Sequence, residues 1–325
     1  MTSPDLTIII VNWNTGPLLL ECIESIRNSS LKIPFEVLVI DNASTDESIA
    51  LLKQSECAQS LAAAERLRVI HNKENVGFGT ANNQAFALSR SPFVFLLNPD
   101  ANLYPDTIEI LMQTVSSDDR IAACGPRILN QNGSVQTSVY FNPPAAWHTF
   151  MWQLKLYKLL PSNIRGNLLL GYHWDHSTRR DVPMLIGAAM LVRREVIDQV
   201  GGFNESFHMY AEDNEWCWRI RRAGWRLVFE PAAMVTHLGG QSSLKRWSAD
   251  EKLKTQLESS FKFEQLALSR PGLIRNQLAN YLVVTAQLSG RKLLGANLGQ
   301  LRLIRMVHRR HLAKSLKMGQ EVNNQ

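Results

Sequence analysis

Four short runs, residues 6–11, 35–40, 67–70 and 93–97, carry β-branched, aliphatic and aromatic side chains at successive positions rather than at alternate ones. A strand built that way has no face to offer to water, so it belongs inside a parallel sheet covered on both sides. The stretches between them, residues 17–27, 47–60 and 81–88, read as the helices that supply the cover. Strand and helix in alternation predict an α/β chain.

The first 130 residues therefore read as a Rossmann-like nucleotide-binding half. Ligands of such sheets collect beyond the carboxyl ends of the strands. That directs attention to the polar residues after each run, at 12–14, 41–46, 72–79 and 98–100. A chain of 325 residues that is 45% hydrophobic and 20% charged buries a large core and has room for about two domains. Cys22, Cys57, Cys124 and Cys217 form neither a CxxC pair nor a metal-ligand spacing, and read as buried thiols in a reducing compartment. No basic leader opens the chain, and its longest clean apolar run, 182–192, is shorter than the roughly 20 residues of a spanning helix. A cytoplasmic protein with no transmembrane segment is expected.

Beyond the first half, residues 140–180 mix Phe141, Trp147, Phe150, Trp152, Tyr157, Tyr172 and Trp174 with His148, His173 and His176. They read as an insertion forming part of an acceptor surface or, equally, as a peripheral helical hairpin packed by its aromatics. Residues 184–192 are strand-like, 195–200 helical, 201–203 a turn, 214–223 helical and 226–230 a strand, with a short strand near Val235 and helix from 241 onward. The expected division is a catalytic domain over 1–243, comprising a nucleotide-sugar half (1–130), the aromatic insertion (140–180) and a catalytic half (181–243), followed by a helical extension over 244–325.

Each polar cluster has a chemical and a purely structural reading. Asp41, at the end of a buried strand, suits the imide N–H of a uracil or thymine ring, whereas Asp46 in the same loop reads first as a helix cap. Asn75-Val76-Gly77-Phe78-Gly79 precedes a helix whose first turn holds Asn82 and Asn83; its glycines allow close approach of backbone to a ribose or phosphate, or simply make a turn. Asp100, after Asn98-Pro99, is placed to hold a divalent ion that neutralises a diphosphate, and a Pro-Asp turn is its plain alternative. Glu212 and Asp213 open a helix; Asp213 suits a general base for a hydroxyl nucleophile or an N-terminal cap, and Glu212 beside it is harder to explain as capping. His237 ends a strand and opens the glycine loop 238–243. As a second ligand beside a carboxylate it favours Mn2+ over Mg2+, and otherwise it is an ordinary core histidine.

Eight pieces of sequence in one order resemble the inverting glycosyltransferases of family 2, which have the GT-A fold, and especially their rhamnosyltransferase-like members. The likeness covers about residues 6–243. It runs from Ile9-Ile10-Val11-Asn12-Trp13-Asn14 through the 41–46 loop, Asn75-Val76-Gly77-Phe78-Gly79 and Asn98-Pro99-Asp100, then Gly187-Ala188-Ala189-Met190, Gly201-Gly202-Phe203-Asn204-Glu205 and Glu212-Asp213, to His237. The resemblance implies a mixed central sheet and a nucleoside-diphosphate sugar donor, bound by Asn12, Asn14, Asp41, Asn75, Gly77, Asn82, Asn98 and Asp100. It further implies a Mn2+ or Mg2+ ion on Asp100 and His237, and catalysis by Asp213 with Glu212 in one displacement with inversion. The family's common Asp-x-Asp is Asn98-Pro99-Asp100 here, so one carboxylate is missing and Asn98 is left to bond ribose or water. The Gln-x-x-Arg-Trp signature of processive synthases is absent, which implies one sugar per encounter. Rhamnose from dTDP-rhamnose, passed to a glycan or polyprenyl-diphosphate-linked acceptor in surface polysaccharide assembly, is the implied reaction; a non-catalytic nucleotide-sugar-binding or scaffold protein is the alternative.

From Leu266 onward there are 10 Lys or Arg against one acid, Glu321, whereas the first 265 residues hold 25 basic and 28 acidic side chains. Over 291–317 the basic residues alternate with leucines, as in a helix lying on an anionic membrane or one packed on the catalytic domain with a solvated basic face. Nucleic acid is not expected, because no stacking aromatics accompany these charges. A peripheral position at the inner face of the cytoplasmic membrane suits this tail.

Overall fold

The structure, a computed structural model, describes residues 4–140, 143–171, 174–239, 248–292 and 298–318. Gly240 to Ser243 of the glycine loop, the 243/244 domain boundary, Phe141, Tyr172, His173, Leu293 and Leu294 lie outside the described residues. The chain divides into two compact units, Met1–Tyr140 with Asp175–Arg246, and Phe141–Trp174 with Trp247–Gln325.

In the first unit β1 (Leu6–Asn12), α1 (Leu18–Arg27), β2 (Phe35–Asp41), α2 (Ser48–Gln54), α3 (Glu56–Ala63), β3 (Leu67–His71), α4 (Phe78–Leu88) and β4 (Phe93–Leu97) follow the expected alternation. The helix expected over 47–60 is two: Ser55 is extended at φ −74°, ψ 130° and caps α3 through its Oγ, which accepts the Ala58 N–H at 3.4 Å. Strands β3-β2-β1-β4 are parallel; β1, β2 and β4 are buried on both faces, while β3 at the edge exposes Arg68 and His71.

After β4 come β5 (Ala101–Leu103), α5 (Thr107–Ser116), β6 (Ile121–Leu129), β7 (Arg180–Asp181), β8 (Ala189–Arg193), α8 (Arg194–Val200), α9 (Glu212–Arg222) and β9 (Arg226–His237), with α6 and α7 in the second unit. Here the parallel pattern stops. β8 runs antiparallel to β4 and to β6, β9 is parallel to β6, and β5 and β7 are antiparallel to β9, giving a mixed sheet of order β3-β2-β1-β4-β8-β6-β9-β5. The two strands expected at 226–230 and near Val235 are one; Pro231 is accommodated by a register shift, Pro126 facing Glu230 and Arg127 facing Met234. β8 is shorter than the apolar run 184–192 because the chain enters it only after Gly187-Ala188.

This topology places the site. β8 starts beside the end of β4, Ala189 opposite Leu97, so residues 187–188 arrive at the carboxyl edge of the parallel strands. Ala101 of β5 faces His237 of β9, which sets His237 next to the residue preceding β5, Asp100.

The second unit contains α6 (Ala146–Gln153), α7 (Ser162–Leu169), α10 (Ala249–Ala267), α11 (Arg270–Lys292) and α12 (Gly299–Lys317). Thr149 of α6 bonds Asn280 of α11 at 3.2 Å, so the aromatic segment keeps company with the C-terminal helices instead of being an insertion carried by the catalytic unit. Ser248 and Glu251 close α10 with a capping box. Leu298, Leu301 and Ile304 pack against Val284 and Leu288 of α11, and Val307 is fully buried. That apolar stripe is thus used inside the bundle and is not available for immersion in a headgroup layer; Arg302, Arg305, Arg309, Arg310, Lys314 and Lys317 stay exposed. Among the described residues no helix is long and apolar enough to cross a membrane.

Candidate active site

The ends of β1 and β2 are tied by Asn12, which is fully buried and whose Nδ2 lies 3.1 Å from Asp41 Oδ1 and 3.0 Å from the hydroxyls of Ser44 and Ser48. Asn14 sits in the left-handed region at φ 53°, and its Oδ1 accepts the backbone N–H groups of Thr45 and Asp46. Asp46 bonds both N and Oγ of Ser48 at the head of α2, the capping contact expected of it, and also accepts the Gly16 N–H. Asp41 is 5% exposed; its second oxygen meets Nδ1 of His71, at the end of β3, at 3.2 Å. Each carboxylate oxygen has two lone pairs, so these contacts orient Asp41 and leave it able to accept a further N–H.

Asn42 links this edge to the glycine loop. Its Nδ2 donates to Asn75 Oδ1 at 2.9 Å, and its Oδ1 accepts from Asn72 Nδ2 and Val76 N at 3.1 Å each. Gly77 has φ +89°, and a Cβ there would come within 2.8 Å of the His208 carbonyl; a Cβ at Gly79 would press on Phe203 at 3.1 Å. The close approach these glycines permit within the protein is to the 203–208 segment. Asn82, 1% exposed, donates back to the Phe78 carbonyl of its own helix, while Asn83 clasps Phe203 through both its amide ends. Trp216 and Arg219 of α9 hold the same turn by donating to the carbonyls of Gly201, Val200 and Gly202. Gly201-Gly202-Phe203-Asn204-Glu205 is in this way a brace between α4 and α9.

At the other end of the edge, His237 Nε2 lies 3.2 Å from Asp100 Oδ1 and 3.2 Å from Asn98 Nδ2, and all of Asp100 and His237 except 7% is shielded. The opposite nitrogen, Nδ1, meets Gln136 Oε1 at 2.7 Å. Gln136 Nε2 donates to Asn130 Oδ1 and to the His237 carbonyl, which fixes the amide so that Oε1 is the acceptor. Nδ1 then carries the proton. Nε2 then accepts from the Asn98 Nδ2 amide, with Asp100 Oδ1 equally near. An imidazole held by its other N–H, with a carboxylate beside it, is the arrangement of metal-ligating histidines. The donor set fits a divalent ion that takes its remaining ligands from elsewhere, since the described residues contain no cluster of three His, Cys, Asp or Glu.

Glu212 and Asp213 begin α9 behind two consecutive left-handed residues, Tyr210 at φ 68° and Ala211 at φ 65°. Such backbone is costly for residues with a Cβ and is held only by its surroundings. The N-cap is Ala211, so Asp213 is not the cap. Its Oδ2 accepts the Gly187 N–H at 3.3 Å and its Oδ1 the Asn214 N–H at 2.8 Å. One residue on, the Ala188 carbonyl accepts the Asn98 N–H at 2.9 Å. Two successive residues of the β8 entry thereby tie the Asp213 end of α9 to the Asn98–Asp100 turn. Burial, and then the neighbouring charge of Asp213, push Glu212 up to about 8; burial also raises Asp213. Glu212 Oε2 is buried with no hydrogen-bond partner. Two adjacent buried carboxyl groups resist ionising together, so each raises the other's hold on a proton.

The site residues seen in the sequence therefore collect at one edge of the sheet, but Asn12, Asn14, Asn75 and Asn82 use the amide groups described above to hold loops. Sequence reasoning missed Gln136, His71 and Asn42. Gln136 sits in a polar turn with no periodicity to mark it. Asn42 and His71 had a signal, as each ends or follows a buried strand.

A model of glycosyl transferase family 2 matches residues 7–201, and one of glycosyl transferase family 21 matches residues 177–252. The N-acetylglucosaminyl-diphospho-decaprenol L-rhamnosyltransferase of Mycobacterium tuberculosis is 30% identical over 261 residues, covering 71% of this chain and 75% of that protein. The low-salt glycan biosynthesis hexosyltransferase Agl10 of Haloferax volcanii is 29% identical over 225 residues, 67% of this chain and 62% of the relative. Among solved structures, the mannosyltransferase PcManGT of Pyrobaculum calidifontis, in complex with GDP-Man and Mn2+, superposes with a TM-score of 0.54 at 17% identity over 98% of this chain and 87% of that one. GalNAc-T7 with UDP, GalNAc and Mn2+ gives 0.57 at 14%, over 98% of this chain and 57% of that one. These structural likenesses show the GT-A fold. With the family match spanning more than half of the chain and the rhamnosyltransferase relative 30% identical over 71% of it, this chain belongs to glycosyl transferase family 2 and is a glycosyltransferase.

Proposed function

We propose that the protein transfers one L-rhamnose from dTDP-L-rhamnose, with inversion, to a hydroxyl of a polyprenyl-diphosphate-linked glycan during surface polysaccharide assembly, peripherally at the inner face of the cytoplasmic membrane. The observation that carries the reading is the joining of Asp100–His237 to Asp213 through Gly187 and Ala188. The mycobacterial relative, an N-acetylglucosaminyl-diphospho-decaprenol L-rhamnosyltransferase, supports rhamnose and a lipid-linked acceptor.

In this reading Asp41 accepts the imide N–H of the base, oriented by Asn12 and His71. Asn14, Asn75, Gly77 and Asn82 shape the loops around the donor, and Asn98 sits against its sugar-diphosphate side. Asp100 and His237 hold Mn2+ or Mg2+, which supplies Lewis-acid neutralisation of the diphosphate when bound. Asp213 removes the acceptor's hydroxyl proton as that oxygen bonds to the anomeric carbon and the carbon–oxygen bond to the diphosphate breaks. Glu212 keeps the pair's other proton, and its charge state sets how basic Asp213 is. The exposed basic face of α12 adds electrostatic attraction to anionic lipid.

The test is a panel of nucleotide-sugars scored by protection against thermal unfolding with and without Mn2+. A ligand at 100 times its Kd adds about 2.7 kcal/mol. dTDP-rhamnose is expected to protect most and only with metal; equal protection by every nucleotide-sugar, or none, contradicts the assignment.

A further inference from the structure

The loop and helix that follow α6 leave apolar side chains in water. Leu159 is 81% exposed, Ile164 48%, Leu154 45% and Leu156 39%. Clustered exposure of this size on a soluble protein marks an interaction surface. The charges around it say what kind. Lys155 and Lys158 are exposed between these leucines, and no Asp or Glu occurs anywhere from Arg120 to Trp174. An apolar segment that carries cations and no acids of its own complements an anionic bilayer, where the leucines enter the acyl boundary and the ammonium groups stay with the phosphates. α12 has the charges, but Leu301 and Ile304 of its apolar stripe are packed against α11, and of its apolar side chains only Met306 and Leu316 are more than half exposed.

We propose that residues 154–168 are an interfacial anchor, with Leu154, Leu156, Leu159 and Ile164 inserting into an anionic lipid surface and Lys155 and Lys158 at its headgroups. The anchor deepens the reading of a lipid-linked acceptor but stands on separate observations, and its test contains neither donor nor acceptor.

The purified full chain is sedimented with vesicles of phosphatidylglycerol and phosphatidylethanolamine in equal parts, and with phosphatidylcholine alone. Binding is expected to the first and to be at least about tenfold weaker to the second. Leu156→Glu with Leu159→Glu is expected to lower binding at least about tenfold, and Lys155→Glu with Lys158→Glu several-fold, both keeping the wild-type unfolding temperature and nucleotide-sugar protection. Arg305→Glu with Arg309→Glu on α12 is expected to cost less than the leucine pair. A second readout covers a variant that fails to fold: Leu159→Cys, labelled with a polarity-sensitive dye, is expected to shift to the blue on adding the anionic vesicles. Cys22, Cys57, Cys124 and Cys217 are all buried and should not take the label. Wild-type sedimentation by the leucine pair, or no dye shift, overturns the anchor. So does binding that needs native membrane protein and fails with lipid alone, which assigns the surface to a protein partner. Loss of binding with nucleotide-sugar protection intact leaves the active-site reading untouched.

Discussion

The carboxyl edge of the sheet and the interior of the helical unit both bury polar side chains, and they treat them differently. In the bundle, Glu264, Gln277 and His308 are 5%, 1% and 8% exposed and form a chain: Gln277 Nε2 donates to Glu264 at 2.6 Å, and its Oε1 meets His308 Nδ1 at 3.0 Å. Burial pushes Glu264 up to about 7 and His308 down to about 4, so both stand uncharged near pH 6 and satisfy one another as neutral groups. At the sheet edge an imidazole and carboxyl groups are set side by side instead: His237 Nε2 accepts from Asn98 with Asp100 equally near, and Glu212 Oε2 has no partner beside Asp213. Asn276 Oδ1 and His311 Nδ1 of the bundle lack partners too, so it is the concentration of acids and imidazole at strand ends, not an unpaired atom alone, that marks the edge for a ligand.

That contrast breaks most visibly if both clusters tolerate mutation equally. Asp100→Ala or His237→Ala is expected to reduce transfer on the order of a thousandfold, from the several kcal/mol of charge stabilisation lost, with the unfolding temperature nearly unchanged. Initial rates of nucleoside diphosphate release check it; a loss under tenfold would place the metal elsewhere. Gln136→Ala sharpens the comparison by touching only the support of His237. It is expected to weaken Mn2+ affinity by about 10- to 100-fold, read by titrating the ion against donor protection.

The smallest effect belongs to the bundle. Glu264 holds its proton in the folded state to about 7, above its ordinary 4.5, so the stability tied to its neutral form is present below 4.5 and lost as pH rises through 7. Glu264→Gln is accordingly expected to melt a few degrees above wild type at pH 8, with the gap closing toward pH 5 and kcat unaltered at either pH. A gap that widens on acidification has the wrong sign for this account.

How much of this was legible in the sequence follows the same division. Asp41, Asp100 and His237 each stand directly after an apolar strand, and chain order alone puts strand ends of an α/β sheet on one edge. The mixed half was harder, because the antiparallel return of β8 and the β5–β9 pairing that delivers His237 to Asp100 are set by long-range register and not by local pattern. Gly77 and Gly79 were legible as sites of close approach, but not their neighbours His208 and Phe203, more than 100 residues away. In the helical unit, Gln277 of α11 and His308 and His311 of α12 look like solvated helix faces until their partners are known, and Leu301 and Ile304 like a membrane face.

The decisive measurement is Asp213→Asn, assayed for transfer and for donor binding on the same preparation. The amide keeps the shape of the side chain and cannot take a proton from an alcohol, so kcat is expected to fall by about 10²- to 10⁴-fold while the donor's Kd stays within about twofold of wild type. Full turnover by that variant, or a loss of donor binding as large as the loss of rate, would contradict the assignment of Asp213 as the base.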